Sequence, residues 1–419
     1  MNLTEKVCKL GYARLCIILM AAGPGLVVML ADTDAGSIVT AAQSGAVWGY
    51  KLLALQLILI PILYIVQELT LRLGLSTGKG HAELIRQHFG KFWAWFAVIT
   101  LVISCIGALI TELSGIVGVG NLFGISPHLS MALTIIFLIL LVLTRSYNSV
   151  ERIALACGAF ELVYLVVAWQ AHPSAHEILQ GLKSVPIHNS NYLYFAAANI
   201  GAVIMPWMIF YQQSAVVDKG LSIHHLKAAR IETALGAIIT QVIMAAIIVT
   251  IAATLGKSHS GATLTTIEQI SEAITPFLGD NVGRILFALG MLGASLIATI
   301  VVLLTAAWSI GEITGIRHSL QDHPKEAPWF YGVYFVVLVI GGAVVASSTH
   351  LINLNVAIEV MNALMLPIVL GFLFALAYKT LTPPYKLSGR YAIFVGAIVL
   401  ITSVFGVAAG LFGIVDMLR

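Results

Sequence analysis

The chain has 419 residues, 59% hydrophobic and 10% charged, with a formal net charge of +3 at pH 7 and a mean hydropathy of +0.97. A soluble domain carries about 25% charged residues, so this composition excludes a water-soluble globule. The small net charge offers no electrostatic footprint for nucleic acid.

Apolar stretches of about 20 residues, enough to cross a ~30 Å hydrocarbon core, recur along the whole chain. They lack strand-like alternation and read as helices, giving an all-α polytopic membrane protein. Lys6, Lys9 and Arg14 precede the first stretch in the manner of a secretory signal. That stretch runs on through Gly23-Pro24-Gly25 to Asp32 and Asp34 without a cleavage pattern, so it reads as a retained first span. The spacing predicts eleven segments, at about 13–48, 50–73, 93–120, 129–146, 151–171, 194–217, 230–255, 282–311, 329–347, 353–378 and 391–415, joined by short polar connectors. One transmembrane domain over 1–419 is expected.

With the N-terminus cytoplasmic, 17 of the 22 Lys and Arg residues fall on the inner side. This obeys the positive-inside rule and predicts a multi-pass inner-membrane protein. Cys8, Cys16, Cys105 and Cys157 show no metal-ligand spacing and read as small apolar core residues. The histidines lie mostly in connectors, and none forms a His-x-x-x-His pair with a nearby Glu on a span, so no membrane metalloprotease is indicated. No Ser/His or paired-acid constellation argues for an enzyme, and no cofactor is implied.

Helix breakers stand in two segments: Gly23-Pro24-Gly25 with Asp34-Ala35-Gly36-Ser37 in the first, and Gly201-Ala202-Val203-Ile204-Met205-Pro206 in the sixth. They are five spans apart. That spacing predicts two inverted five-helix repeats, about 13–171 and 194–378, each opening with a discontinuous helix, plus an extra helix at about 391–415. In such an architecture the substrate binds near the midplane, between the unwound stretches.

An acid in hydrocarbon costs about 2.5–3.5 kcal/mol, so each asks for a function. Asp32 and Asp34 sit in the first span, Glu112 in the third, Glu161 in the fifth and Glu359 in the tenth, with no Lys or Arg at their depth. Carboxylates without compensation favour a cation. Broken helices add freed carbonyls, expected at Ala31 and Ala202, while Ser37 offers a hydroxyl and Gln43 an amide oxygen. Met205 is either a soft ligand suited to transition metals or a flexible packing residue beside Pro206. Asp32 is alternatively a cap accepting backbone amides at the break, and Glu161 and Glu359 alternatively hold the bundle together through hydroxyls or amides.

Asp34-Ala35-Gly36-Ser37 followed by Gln43-Ser44-Gly45-Ala46 resembles the first-helix signature of the NRAMP family, Asp-Pro-Gly-Asn and then Gln-Ala-Gly-Ala. Gly201-Ala202-Val203-Ile204-Met205-Pro206 is similar to that family's sixth-helix Gly-Ala-x-x-Met-Pro-His. Gln67 through Leu73-Gly74, Thr77-Gly78-Lys79 with Ala82-Glu83-Leu84, and Arg230-Ile231-Glu232-Thr233-Ala234 resemble its second and seventh helices. The resemblance implies a LeuT-type fold that imports divalent transition metals with proton cotransport. It places metal ligands at Asp34, Ser37, Met205 and the carbonyls of Ala31 and Ala202, and gives Glu112 a role in ion approach or coupling.

The chain also departs from that pattern. Ser37 replaces an asparagine, Trp207 stands where the family has a histidine, Gly115 where a second third-helix acid is expected, and span nine lacks the family's paired arginines. These losses remove titratable groups that a proton relay needs. They resemble the NRAMP-related magnesium transporters, and Mg2+, which sheds water reluctantly, suits a roomier pocket. The expected cargo is Mg2+ and/or Mn2+ moving into the cytoplasm by alternating access without tight proton coupling, by a chain working as a monomer in the lipid bilayer. The alternatives are a proton-coupled Mn2+/Fe2+ importer and, further off, a sodium-coupled organic-solute carrier on the same fold.

Overall fold

The computed structural model describes residues 23–255, 264–274, 279–347 and 351–417. Lys6, Cys8, Lys9, Arg14, Cys16 and the opening of the first span lie outside the described residues. The described residues form seventeen α-helices with no strand among them. Lipid offers no partner to a bare amide or carbonyl, and a helix satisfies both internally.

α1 (Pro24–Asp32) and α2 (Ala35–Trp48) are the halves of the first broken helix, followed by a 3-10 turn at Gly49–Leu52 and by α3 (Leu53–Thr77). Next come α4 (His81–Phe89), α5 (Lys91–Leu122) and α6 (Pro127–Val142). α7 (Tyr147–Ala159) and α8 (Val163–Gln170) are joined through a 3-10 turn at Phe160–Leu162, and α9 (Ala175–Lys183) follows. α10 (Ser190–Val203) and α11 (Pro206–Asp218) are the second broken helix. The chain then runs through α12 (Leu226–Leu255), α13 (Ile267–Ile274), α14 (Asp280–Thr314), α15 (Pro328–Ser347), α16 (Leu351–Thr380) and α17 (Gly389–Met417).

Nine helices among the described residues are long and apolar enough to cross a bilayer. Each expected segment coincides with helix where it is described. The first two share the unit Ala35–Thr77, and the fourth falls on the shorter Pro127–Val142. The fourth segment ends earlier than its apolar pattern suggests, because Arg145 turns the chain at φ 53°. Three of the polar connectors carry the short helices α4, α9 and α13. α4 and α9 combine an acidic first turn with a basic last turn, which suits the helix dipole.

The second broken helix is the centre of the molecule. The most apolar stretch of Ser190–Asp218 is 94% buried, against 33% for that of Gly389–Val415 at the periphery. α10 packs on α16, α17 and α2, while α11 packs on α3, α14 and α1. The two broken helices run antiparallel. Ser44 meets Asn199 at 2.8 Å, Ser37 meets Ala202 at 3.0 Å, and a Cβ on Gly25 would come within 3.5 Å of Gln212. The breaks therefore lie side by side.

Candidate ion site

Each break has a local cause. In the second, Pro206 opens α11, and a residue before proline is driven out of the helical region. Met205 accordingly adopts φ −82°, ψ 140°, and Ile204 before it φ −122°, ψ 75°. Proline has no N–H, so the Ala202 carbonyl four residues earlier is left without its helical donor. In the first break Thr33 leaves the helix at φ −83°, ψ 46° and Asp34 starts the next half in extended conformation. The Ala35 N–H that would reach the Ala31 carbonyl donates instead to Glu112 Oε2 at 3.1 Å. Both expected carbonyls are thus released from their helices.

Asp34 does two things. Its Oδ1 accepts the Ser37 N–H at 2.7 Å and caps α2, while Oδ2 is buried and unpaired. The capping considered for Asp32 as an alternative therefore belongs to Asp34. Asp32 ends α1 and accepts an amide hydrogen from Gln241 at 3.2 Å, with Oδ1 unpaired. The Ser37 hydroxyl donates to the Ala202 carbonyl at 3.0 Å, joining the two breaks. Met205 is fully buried in the second break, as are Asp34 and Ser37 in the first. The site is closed to both sides.

Two expected members sit differently. The Gln43 amide is taken by backbone: its Oε1 accepts the Leu264 N–H at 3.2 Å and its Nε2 donates to the Leu264 carbonyl. That pairing across 221 residues turns the amide away from the breaks. Glu112 braces the break, since one oxygen holds Ala35 and the other accepts the Thr111 hydroxyl at 3.1 Å.

Glu359 belongs to this neighbourhood more than the sequence indicates. A Cβ on Gly36 would lie 2.3 Å from Glu359 Oε1, and one on Gly201 would lie 1.8 Å from the Glu359 carbonyl oxygen. Only glycine lets α16 approach both broken helices this closely. Glu359 Oε2 accepts from Asn362 at 3.0 Å and Oε1 has no partner. It does not tie neighbouring helices together through hydrogen bonds, contrary to the bundling role considered for it. The signal was present in Gly36 and Gly201, whose partner is named only by the fold.

The departures from the family pattern have physical form. A side chain at Gly115 would meet Ala35 Cβ at 2.6 Å and Ser295 Oγ at 2.7 Å, so no acid fits there. Trp207 is fully buried with its indole N–H unpaired. α15 carries no charged residue.

One end of the bundle is closed by acids of another kind. Glu68 accepts Arg230 Nε at 2.8 Å and Arg72 Nε at 3.0 Å, and Arg72 also donates to the Tyr385 carbonyl at 3.3 Å. Lys219 grips Glu151 at 2.7 and 2.8 Å. Glu232 accepts the Gly23 N–H at 3.0 Å. Glu312 accepts the Ala82 N–H at 3.0 Å and the Ser214 hydroxyl at 2.5 Å. A cavity of about 210 Å³ lies among Gly23, Leu71, Lys219 and Glu232. Arg72 near the end of α3 meets the Tyr385 carbonyl and the Lys79 carbonyl accepts from Gln213 on α11 at this end, whereas Lys51 lies with Trp48 and Tyr192.

The model of the Nramp family, described as natural resistance-associated macrophage protein-like, matches residues 25–411. The chain is 30% identical over 303 residues to the divalent metal cation transporter MntH of Bradyrhizobium diazoefficiens, the match covering 68% of this chain and 65% of that one. It is 27% identical over 287 residues to MntH of Erwinia tasmaniensis, covering 67% and 69%. Among solved structures it is similar to the Eremococcus coleocola manganese transporter bound to an aromatic bis-isothiourea compound, with a TM-score of 0.74, 19% identity and 94% and 87% of the two chains covered. A Na+-coupled sialic acid symporter in its outward-open state matches with a TM-score of 0.63 and 15% identity over 93% and 88%.

Proposed function

The chain belongs to the Nramp family, and from that premise we propose that it carries Mg2+ and/or Mn2+ into the cytoplasm by alternating access, without tight proton coupling. The observation that carries this reading is the meeting of the two breaks at Asp34. An unpaired carboxylate oxygen, a hydroxyl and a carbonyl with no helical donor converge where neither lipid nor water reaches.

An oxygen-rich set of this kind suits a hard divalent ion. We add Glu359 to Asp34, Ser37, Met205 and the carbonyls of Ala31 and Ala202, because its free oxygen lies against Gly36. Two carboxylates would match the charge of one divalent cation. Gln43 and Asp32 would then position the breaks from behind, and Glu112 would hold the first break open through Ala35.

Tight proton coupling lacks its parts. Trp207 is apolar in bulk, Gly115 has no room for an acid and α15 is uncharged. A closed site fits a carrier that exposes one face at a time. The charged clamps at one end would part when that face opens, and the Lys and Arg they gather support a cytoplasmic placement.

Met205 favours a second reading, a proton-coupled Mn2+/Fe2+ importer, since a buried thioether beside the site suits a softer ion. The relatives are themselves named for manganese or divalent metal transport. Vesicles containing the purified chain decide between the two. Competition among Mg2+, Mn2+, Ca2+ and Fe2+ should show Mg2+ competing, with no metal-driven acidification inside. Strong acidification would overturn the uncoupled reading, and absence of any divalent flux would overturn both.

A further inference from the structure

Glu161 is an acid that the cargo site does not use. It lies in the 3-10 turn between α7 and α8, fully buried, and neither of its carboxylate oxygens makes a hydrogen bond. A short 3-10 stretch inside a helix often marks a functional position. A buried carboxylate left bare is among the costlier arrangements a membrane protein can hold.

Its surroundings are specific. α7 packs on α1, where a Cβ on Gly158 would meet the Leu30 side chain at 2.7 Å, and three residues on from each, Glu161 faces Thr33 at the first break with Asp32 and Asp34 beside it. Thr33 Oγ1 and Asp32 Oδ1 are likewise buried and unpaired. No Lys, Arg or His forms an ion pair with Asp32 or Glu161 among the described residues. α14 packs directly on the turns flanking Glu161: a Cβ on Gly293 would lie 2.4 Å from the Cys157 carbonyl, and one on Gly290 would lie 3.0 Å from the Tyr164 ring. The acid is therefore sealed away from lipid and held toward the break.

We propose that Asp32, Thr33 and Glu161 form a second cation site, separate from the cargo at Asp34, for a hard monovalent ion of the kind of Na+. The donors are all oxygen, which excludes a preference for soft metals. No group of three or more His, Cys, Asp or Glu side chains among the described residues is arranged to grip a metal. Glu161 is the buried acid among the described residues that keeps both oxygens bare, and one such carboxylate suits a single positive charge. Mg2+ would have to surrender its water in an enclosed place, which it does reluctantly. Charge balance leaves room for it: five buried acids surround the first break, counting Glu112 and Glu359, and one divalent cargo matches only two of them. An ion on Thr33 would stiffen the break whose next residue is Asp34, so occupation of one site would favour the other.

The test uses the full chain in lipid nanodiscs and 22Na+ as the probe. Wild type should bind 22Na+ saturably, displaced by unlabelled Na+ and not by choline. Glu161→Gln should weaken binding about tenfold or more with an unchanged melting temperature, and Asp34→Ala should weaken it clearly less. Thr33→Val serves as a second variant and decides the matter if Glu161→Gln does not fold. No saturable binding by wild type, binding untouched by the variants, or binding lost equally in Asp34→Ala would overturn the site. Divalent flux is read separately. A chain that binds 22Na+ but passes neither Mn2+ nor Mg2+ refutes the transport reading and leaves this one standing.

Discussion

Four acids at the midplane and four at the charged end differ in one respect, their partners. Glu68 holds two arginines, Glu151 a lysine, and Glu232 and Glu312 take backbone N–H groups. Asp32, Asp34, Glu161 and Glu359 each keep at least one oxygen with none. The first set is satisfied by the chain itself and fastens helices together. The second set is satisfied only by something that arrives, so burial alone does not distinguish structure from function, whereas pairing does.

Glu68→Ala gives the largest expected effect, because it strands Arg72 in the protein interior. Removing one partner of a buried pair costs about 3–5 kcal/mol, which thermal unfolding of the purified chain would register as a large drop. A small shift would mean that the charged end is no clamp. Asp34→Ala should behave in the opposite way. It removes a proposed ligand, expected to be worth about 3 kcal/mol, or roughly 100-fold in flux. Its unfolding temperature should nevertheless change little, since the lost cap costs about 1 kcal/mol and the removed bare oxygen offsets it. An unfolding shift as large as that of Glu68→Ala would erase the distinction between the two sets.

Gly201→Ala sharpens the comparison from the packing side. The new methyl would meet the Glu359 carbonyl, and overpacking of this kind costs about 1–3 kcal/mol, with flux falling alongside stability. A variant with normal flux would show that the close approach of α16 is incidental. His81 has the smallest effect. It lies outside the spans, and burial lowers its pKa from 6.5 to about 4, with the Gln213 contact at 2.8 Å opposing the shift. A histidine with a depressed folded pKa contributes stability that is complete above its unfolded value and fades as pH falls from 6.5 toward 4. Unfolding temperatures of wild type and His81→Gln should therefore converge over that window and stay parallel above it.

Much of the site was legible because breaks have local causes. Pro206 frees Ala202 and displaces Met205 whatever surrounds them. The cap at the first break was considered for Asp32, and only the fold gives it to Asp34 and hands Asp32 to Gln241. Gln43 looked like a ligand because nothing nearby predicts its pairing with Leu264. Glu359 and Glu161 looked like bundle cement for a similar reason. Their neighbours are glycines and a threonine more than a hundred residues distant, and sequence spacing carries no trace of such contacts. The spans followed from hydropathy, while α4, α9 and α13 did not, being too short and too polar to stand out.

The Ser37–Ala202 hydrogen bond acts as a placeholder. It satisfies, from within the chain, a carbonyl that the cargo would claim, and it ties the two halves of the carrier while no ion is there. On the transport proposed here, cargo would have to compete with an internal mimic whose net worth is about 1 kcal/mol. Such a mimic lowers affinity slightly and so helps release on the far side. It also gives the unloaded carrier a closed form in which to make its return journey, a property that a tighter, unopposed pocket would lack.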